Sequence, residues 1–321
     1  MRRSARLVLL IAALLTAAGL IVAFLGMVAM GFDFRKLDTN EYTVKIPLIE
    51  EDFTQIKVAL DTADLNIVLA DDGICRVECY ERTDTPHSVK VVNGVLEIRC
   101  EDERSWYDCV GFQFYEPSVT VFLPEAAYER LEIEGDTSDI SIAKELVFGE
   151  VEIEVDTGDV FIGARVERSL SITATTGDLT LEGVAVGGDL RLKTSTGEID
   201  ARSVVATAIF FETGSGEVEI AHASCATLTG GSDTGDVTLK SVLVLGHLRL
   251  VTDTGDVEID HCDAATILIE TDTGDVKGVL LSDMLFAVET DTGEVEIPRG
   301  TVGGLCEIRT ETGDVEITVL K

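Results

Sequence analysis

The chain has 321 residues, with 59 acidic against 25 basic side chains and a formal charge of −34. That balance excludes nucleic-acid binding, which needs clustered Lys and Arg to hold phosphates. Hydrophobic residues make up 45% and charged residues 26%, which is enough apolar material for a real core rather than an acidic disordered tail. Gly reaches 29 while Pro is 5 and Trp 1, a balance that suits strands and tight turns.

Arg2, Arg3 and Arg6 precede residues 7–32, a run without one charged side chain. A helix over that run is longer than the roughly 30 Å hydrocarbon core of a bilayer and spans it with tilt. A cleaved secretory signal has a shorter apolar region ending at small residues, whereas Phe24, Leu25, Met27, Val28 and Met30 are bulky. Residues 1–32 are therefore expected to be a cytoplasmic stub and a retained signal-anchor contacting the lipid membrane through residues 7–32. The arginines stay in the cytoplasm and residues 33–321 lie outside. A linker follows over 33–40.

Residues 41–130 form an N-terminal β region. Ile56, Val58, Asp64, Leu65 and Ile67 open it, and strands are expected over 75–80, 89–92, 95–99 and 118–123, with a hairpin turn at Asn93-Gly94. Cys75, Cys79, Cys100 and Cys109 fall close together, so both disulfides and buried thiols remain open, and their spacing does not match paired zinc-ligand motifs. Trp106, Tyr107, Phe112, Phe114 and Tyr115 make a dense aromatic segment. It is read either as a recognition surface or as a cap over the first coil. The four histidines, His87, His222, His247 and His261, are expected at the surface.

From residue 131 to 321 a repeat dominates. Acids at Asp139, Asp159, Asp178, Glu198, Glu217, Asp236, Asp256, Asp275, Glu294 and Asp314, mostly after Thr-Gly, are separated by 19 or 20 residues. With each acid set to zero, positions −8, −6, +1 and +3 are apolar at 38 of 40 places, against 45% for the chain as a whole. The exceptions are Gly230 and Gly278. Polar residues alternate between these columns, so each repeat reads as strand, turn, strand and return, with one wet face. A single repeat cannot bury its own face, but a stack can. The fold expected is all-β, a β-solenoid like a parallel β-helix, of about ten repeats behind one transmembrane helix. A hairpin meander or β-prism is the alternative.

The early strand with Asp64, then Val119-Thr120-Val121-Phe122-Leu123-Pro124 leading into Leu131-Glu132-Ile133, and the recurrent Thr-Gly-Asp-Val together resemble the bacterial DUF4097 family of putative-adhesin β-strand repeat proteins. The resemblance covers roughly residues 41–321. It implies an extracytoplasmic β-repeat domain associated with the cell envelope, often tethered by one membrane helix, and it carries over no catalytic residues.

The acidic turns supply hard oxygen ligands of the kind Ca²⁺ takes, with Asp233, Asp236, Asp253, Asp256, Asp272 and Asp275 as the candidate set. The alternative is that Asp and Thr bond to turn amides while Gly supplies a permissive backbone angle. No other cofactor is expected. His, Ser and acid residues show no catalytic spacing, so the chain is read as non-enzymatic, a binding or adhesion module for an envelope protein or surface ligand. A structural or envelope-stress component contacting other membrane proteins is the alternative, with a glycan-active enzyme a distant third. Val319 and Leu320, with no repeat after them, are expected to leave an open strand edge and weak end-to-end self-association.

Overall fold

The computed structural model describes residues 3–29, 31–33, 41–101, 115–300 and 302–320. One helix, Arg3–Ala29, precedes an all-β body. The helix ends at Gly31 and Phe32, whose positive φ angles of 69° and 58° break the helical path. Its residues Ile11–Ala29 have a mean hydropathy of 2.5 and none of that stretch is buried, which fits a single-pass membrane anchor or a signal peptide.

The body is a β-solenoid, and the register decides against hairpins. Ile153 lies between Ile133 and Ile172 in parallel pairings, and Val160 lies between Ile140 and Leu179 in the same way. Each residue therefore meets its own repeat-mate one coil away. The four columns are the core: Leu131, Leu170, Leu190, Ile172, Leu192, Leu179 and Ile220 are fully buried. At about 25 cal/mol per Å² of apolar surface removed from water, such stacked aliphatics are the main favourable term.

The two glycines that break the columns are filled by neighbours. A Cβ on Gly230 would meet Phe211 Cγ at 2.5 Å, and one on Gly278 would meet Ile259 Cγ1 at 2.6 Å and Ile317 Cδ1 at 2.9 Å. Large side chains from adjacent coils occupy the space, so packing density is kept.

Two further buried rows lie in the returns, which sequence periodicity leaves as variable loops. Val184, Val204, Ala223, Val242 and Cys262 form one, and Val186, Ala206, Cys225, Val244 and Ala264 the other. A third, narrow parallel ladder joins them through Val166↔Val186, Ala185↔Val205, Val205↔Ser224 and Cys225↔Val244. Each return begins in the left-handed region, at Gly183, Ser203, His222, Ser241 and His261. His222 and His261 are exposed there, as is His247.

The order of coils in space is not their order in sequence at either end. Gln55–Leu60 and Asp64–Leu69 stack on Ala127–Thr137 and Ile140–Ile142, as the early motif implies. On their other side, however, lie Val95–Cys100 and Ser118–Leu123, a coil that comes later in the chain. Antiparallel strands then cap it: Tyr42–Lys45 on Arg76–Arg82, Arg76–Arg82 on Ser118–Leu123, and His87–Val92 on Val95–Cys100. The last pair turns at Asn93 and Gly94, both at positive φ, as the hairpin signal required.

At the far end, Val257–Thr273 pairs with Leu305–Thr312, which in turn pairs with Leu285–Thr292. Val276–Leu280 likewise pairs with Val315–Val319, which pairs with Val295–Glu296. The last repeat is thus inserted inside the one before it. Val315 and Glu316 therefore have a neighbour on both sides, whereas Val319 and Leu320 bond only to Leu280, so the open edge expected there is present on one side. Leu285–Thr292 and Val295–Glu296 form the outermost edges. They carry Glu289, Asp291, Glu294 and Glu296, with Pro298 just beyond, devices that discourage strand addition.

The inserted repeat is testable by cross-linking. Lys277 is the register partner of Glu316, and Glu316 is that of Glu296. Oxidation should join the Lys277→Cys, Glu316→Cys pair and leave the Lys277→Cys, Glu296→Cys pair open. A sequential stack gives the reverse pattern on a non-reducing gel.

Candidate functional site

The acidic turns are built by close approach. Gly158, Gly177, Gly197, Gly216, Gly235, Gly255, Gly274 and Gly293 have φ between 137° and 159°. A Cβ on Gly177 would overlap the carbonyl of Gly158 directly beneath it, and the same holds up the column. Both the angle and the space require glycine.

The acid that follows closes the hydrogen-bond account. Asp139 Oδ1 accepts from the Asp159 backbone N–H at 2.8 Å, Asp159 Oδ1 from Asp178 at 2.9 Å, and Asp178 Oδ1 from Glu198 at 2.8 Å. The ladder resumes with Asp236 to Asp256 at 2.8 Å and Asp256 to Asp275 at 2.8 Å. Asp275 then accepts from Asp314 at 2.9 Å, and Asp314 from Glu294 at 2.8 Å, which retraces the inserted repeat in side chains. These carboxylates are acceptors for turn amides that carry no cross-coil backbone bond.

A row at position −4, not singled out by the sequence pattern, supports the same turn from inside. The buried hydroxyls of Thr194, Thr213 and Ser232 donate to the carbonyls of Gly177, Gly197 and Gly216 at 3.2, 3.1 and 3.3 Å. The signal was a switch from Gly135, Val155 and Ala174 to Thr and Ser at one fixed offset.

Of the candidate calcium residues, Asp236, Asp256 and Asp275 lie in the ladder, while Asp233, Asp253 and Asp272 are exposed three residues earlier. Asp275 is also paired with Lys277 at 3.0 Å. Its carboxyl is held below the usual value first by the Asp314 amide and then by Lys277. Among the described residues, the acids of these columns do not form a group of three ligand atoms within 4.8 Å of one another. Part of the negative charge on the broad sheet is offset by pairs between coils. Lys57 bridges Glu132 and Glu134, Arg130 meets Glu152 at 2.5 Å, Lys193 meets Glu212 at 2.9 Å and Arg249 meets Glu270 at 2.8 Å. Exposed pairs of this kind contribute about 0 to 1 kcal/mol each.

Trp106, Tyr107, Phe112 and Phe114 lie outside the described residues, as does Cys109. Tyr115 is described and exposed. Its ring stands edge-on to Tyr42 at 5.6 Å, and Tyr42 stacks on Tyr80 at 5.4 Å, so Tyr115 joins a row of three aromatic rings at the cap strands. Tyr42 and Tyr80 are far from Tyr115 in the chain, and antiparallel pairing across the cap brings them to it.

His87 corrects the expectation of surface histidines. It is buried against Glu81, which is itself fully buried and paired with Lys45 at 2.5 Å. Cys79 lies beside them, and burial, with the Glu81 charge second, pushes its thiol up to about 12. Cys75, Cys225 and Cys262 are buried thiols raised by burial to about 11, and Cys306 is raised to about 12.

The Toastrack DUF4097 family model matches residues 53–223 and 188–321, which together span the coils and their turns. The chain belongs to this family. The Toastrack fold recurs in a putative adhesin from Parabacteroides merdae ATCC 43184, with 13% identity and a TM-score of 0.52 over 75% of this chain and 97% of that one. It recurs also in a putative adhesin from Parabacteroides distasonis ATCC 8503, with 14% identity and a TM-score of 0.50 over 87% and 98%. A putative lipid binding protein from the same Parabacteroides distasonis strain has 13% identity and a TM-score of 0.46 over 75% and 97%. At such identities the likeness concerns the fold alone. No curated protein matches the Toastrack chain.

The ladder has a pH signature. Asp275 has a folded-state pKa below its ordinary 3.8, so its contribution is complete above that value and is lost as pH falls through the lower folded value. Asp275→Asn keeps an oxygen acceptor for the Asp314 amide but cannot titrate. Thermal melts of this variant should lose less stability than the wild type between pH 5 and pH 2, as read by circular dichroism.

Proposed function

We propose that the protein is a membrane-tethered binding or adhesion module of the cell envelope, non-enzymatic, with its N-terminus in the cytoplasm and residues 33–321 outside. The observation that carries this reading is one chain holding an apolar helix, preceded by arginines, together with a long solenoid whose faces are ruled by repeating side chains. A stack of parallel coils is rigid along its axis and offers extended surface rather than a deep cleft. Two open grooves of about 400 Å³ illustrate the point. One is bordered by Leu243, Leu245 and Met284, with the exposed Ser282 hydroxyl donating to Asp263 at 2.9 Å and no histidine beside them, and the other by Glu270, Asp291 and Arg309. The description of two fold neighbours as putative adhesins supports a role in binding.

In this reading the domain plan is a signal-anchor over 1–32, a linker over 33–40, a β region over 41–130 and a repeat solenoid over 131–321. The acidic columns are structural first, because their carboxylates already serve the next coil. Repulsion along the columns is relieved by any cation, and Ca²⁺ at the turns has no privileged role. Millimolar calcium should therefore raise the melting temperature no more than sodium chloride at equal ionic strength. A larger, saturable rise with calcium would establish a specific site at the turns.

Location is tested by protease added to intact cells or spheroplasts carrying a C-terminally tagged chain. Loss of the tag is expected, and its protection reverses the proposed orientation. Binding is tested by arraying the solubilised chain on polysaccharides, envelope proteins and lipids. Saturable retention on one class supports the module reading, and retention on none directs attention to a structural role.

A further inference from the structure

The N-terminal cap buries three metal-ligating side chains in one cluster. Cys79 and Glu81 stand two residues apart on Arg76–Arg82, so the pleat turns both inward, and His87 opens the next strand. One ligand atom from each lies within 4.8 Å of the other two, and all three residues are buried. Among the described residues no other three His, Cys or acidic side chains converge in this way.

The cluster is incompletely satisfied as it stands. Glu81 Oε2 accepts from the His87 backbone N–H at 2.5 Å and faces His87 Nδ1 at 2.9 Å. Glu81 Oε1 meets only the Lys45 ammonium, which belongs to a half-exposed side chain. His87 Nε2 is buried with no hydrogen-bond partner. A buried carboxylate with one mobile counter-charge, beside an unpartnered imidazole nitrogen, is costly unless another group completes it.

We propose that Cys79, Glu81 and His87 bind a single Zn²⁺ that staples the cap onto the first coils. Sulfur, nitrogen and one carboxylate oxygen form a donor set typical of zinc. A thiolate and a carboxylate together neutralise the ion, so the buried site carries no net charge. Tetrahedral zinc holds its ligands roughly 3.5 Å apart, so the cluster contracts slightly rather than being rebuilt. On binding, the Cys79 thiol proton leaves to solvent, the Lys45 ammonium turns outward to water, and a water takes the fourth position. The staple joins Arg76–Arg82 to His87–Val92, two cap strands whose pairing partners lie in different sheets. Metal binding then adds to the stability of the cap directly.

The test uses the purified full chain in detergent. Titration with Co²⁺ should produce a thiolate-to-cobalt charge-transfer absorption that saturates at one equivalent and is displaced by Zn²⁺. Cys79→Ser should abolish the band, and Cys306→Ser, at the opposite end of the solenoid, should keep it. No band in the wild type, or an undiminished band in Cys79→Ser, overturns the proposal. Since a buried substitution can disturb folding, zinc-edge X-ray absorption on the wild-type protein decides independently. One sulfur with two or three nitrogen or oxygen neighbours is expected, and a shell of oxygen alone overturns the site.

Discussion

The structure depends on how closely one turn lies on the next. Parallel strands stack about 4.8 Å apart, and the Thr-Gly-acid corner must hold that spacing without a side chain in the way. Gly177 sits over the carbonyl of Gly158 at an angle that L side chains rarely adopt, and its carbonyl in turn receives the Thr194 hydroxyl. The acid beside it then satisfies an amide that the corner leaves without a backbone acceptor. Glycine, hydroxyl and carboxylate are three answers to one geometric constraint. Part of the large negative charge follows from it, because every coil repeats the same corner.

This constraint also explains where acids are replaced. Aspartate reaches the next amide with its short side chain, as at Asp139 and Asp256. Glu294 sits on the outermost coil, where no further amide lies beyond it, and it uses its own N–H to reach back to Asp314. Glu at the end of the stack is therefore compatible with the ladder. Mid-stack Glu198 and Glu217 coincide with a gap in the chain of carboxylate-to-amide bonds between Glu198 and Asp236, and the buried hydroxyls of Thr213 and Ser232 hold the turns across that gap.

Most of the repeat was legible because a solenoid writes its core at a fixed period. Leu131, Val151 and Leu170 are recognisable as one column before any strand is placed, and the columns fix register as well as burial. The order of coils at the ends was not legible for the same reason. Every repeat presents the same aliphatic faces and the same corner, so pattern alone accepts Val315 beside either Val276 or Val295. Gly278 does not distinguish the arrangements either: it needs bulky neighbours and finds Ile259 on one side and Ile317 on the other, but a sequential stack would offer Ile297, the same side chain. The return rows escaped because 19- and 20-residue repeats differ in that segment and its small side chains imitate a loop. The cap cluster was missed because Cys79, Glu81 and His87 follow no metal-binding spacing, and only the strand alternation around Cys79 and Glu81 hinted that both face inward.

The exchanged coils at both ends act on a weakness common to solenoids. In a sequential stack the terminal coil has one neighbour and one free chain end, so it frays first. At the C-terminal end the outermost coil is tied at both of its chain ends to coils lying further in. Detaching Leu285–Thr292 and Val295–Glu296 opens a closed loop rather than releasing a tail, because Val315–Val319 remains held by Val276–Leu280. Loop closure limits the entropy gained on opening, which offsets fraying by on the order of a few kcal/mol. At the other end Val95–Cys100 and Ser118–Leu123 lie outside Gln55–Leu60 and Asp64–Leu69, and antiparallel strands seal the stack instead. The tucked last repeat protects one end of the stack and the antiparallel cap protects the other.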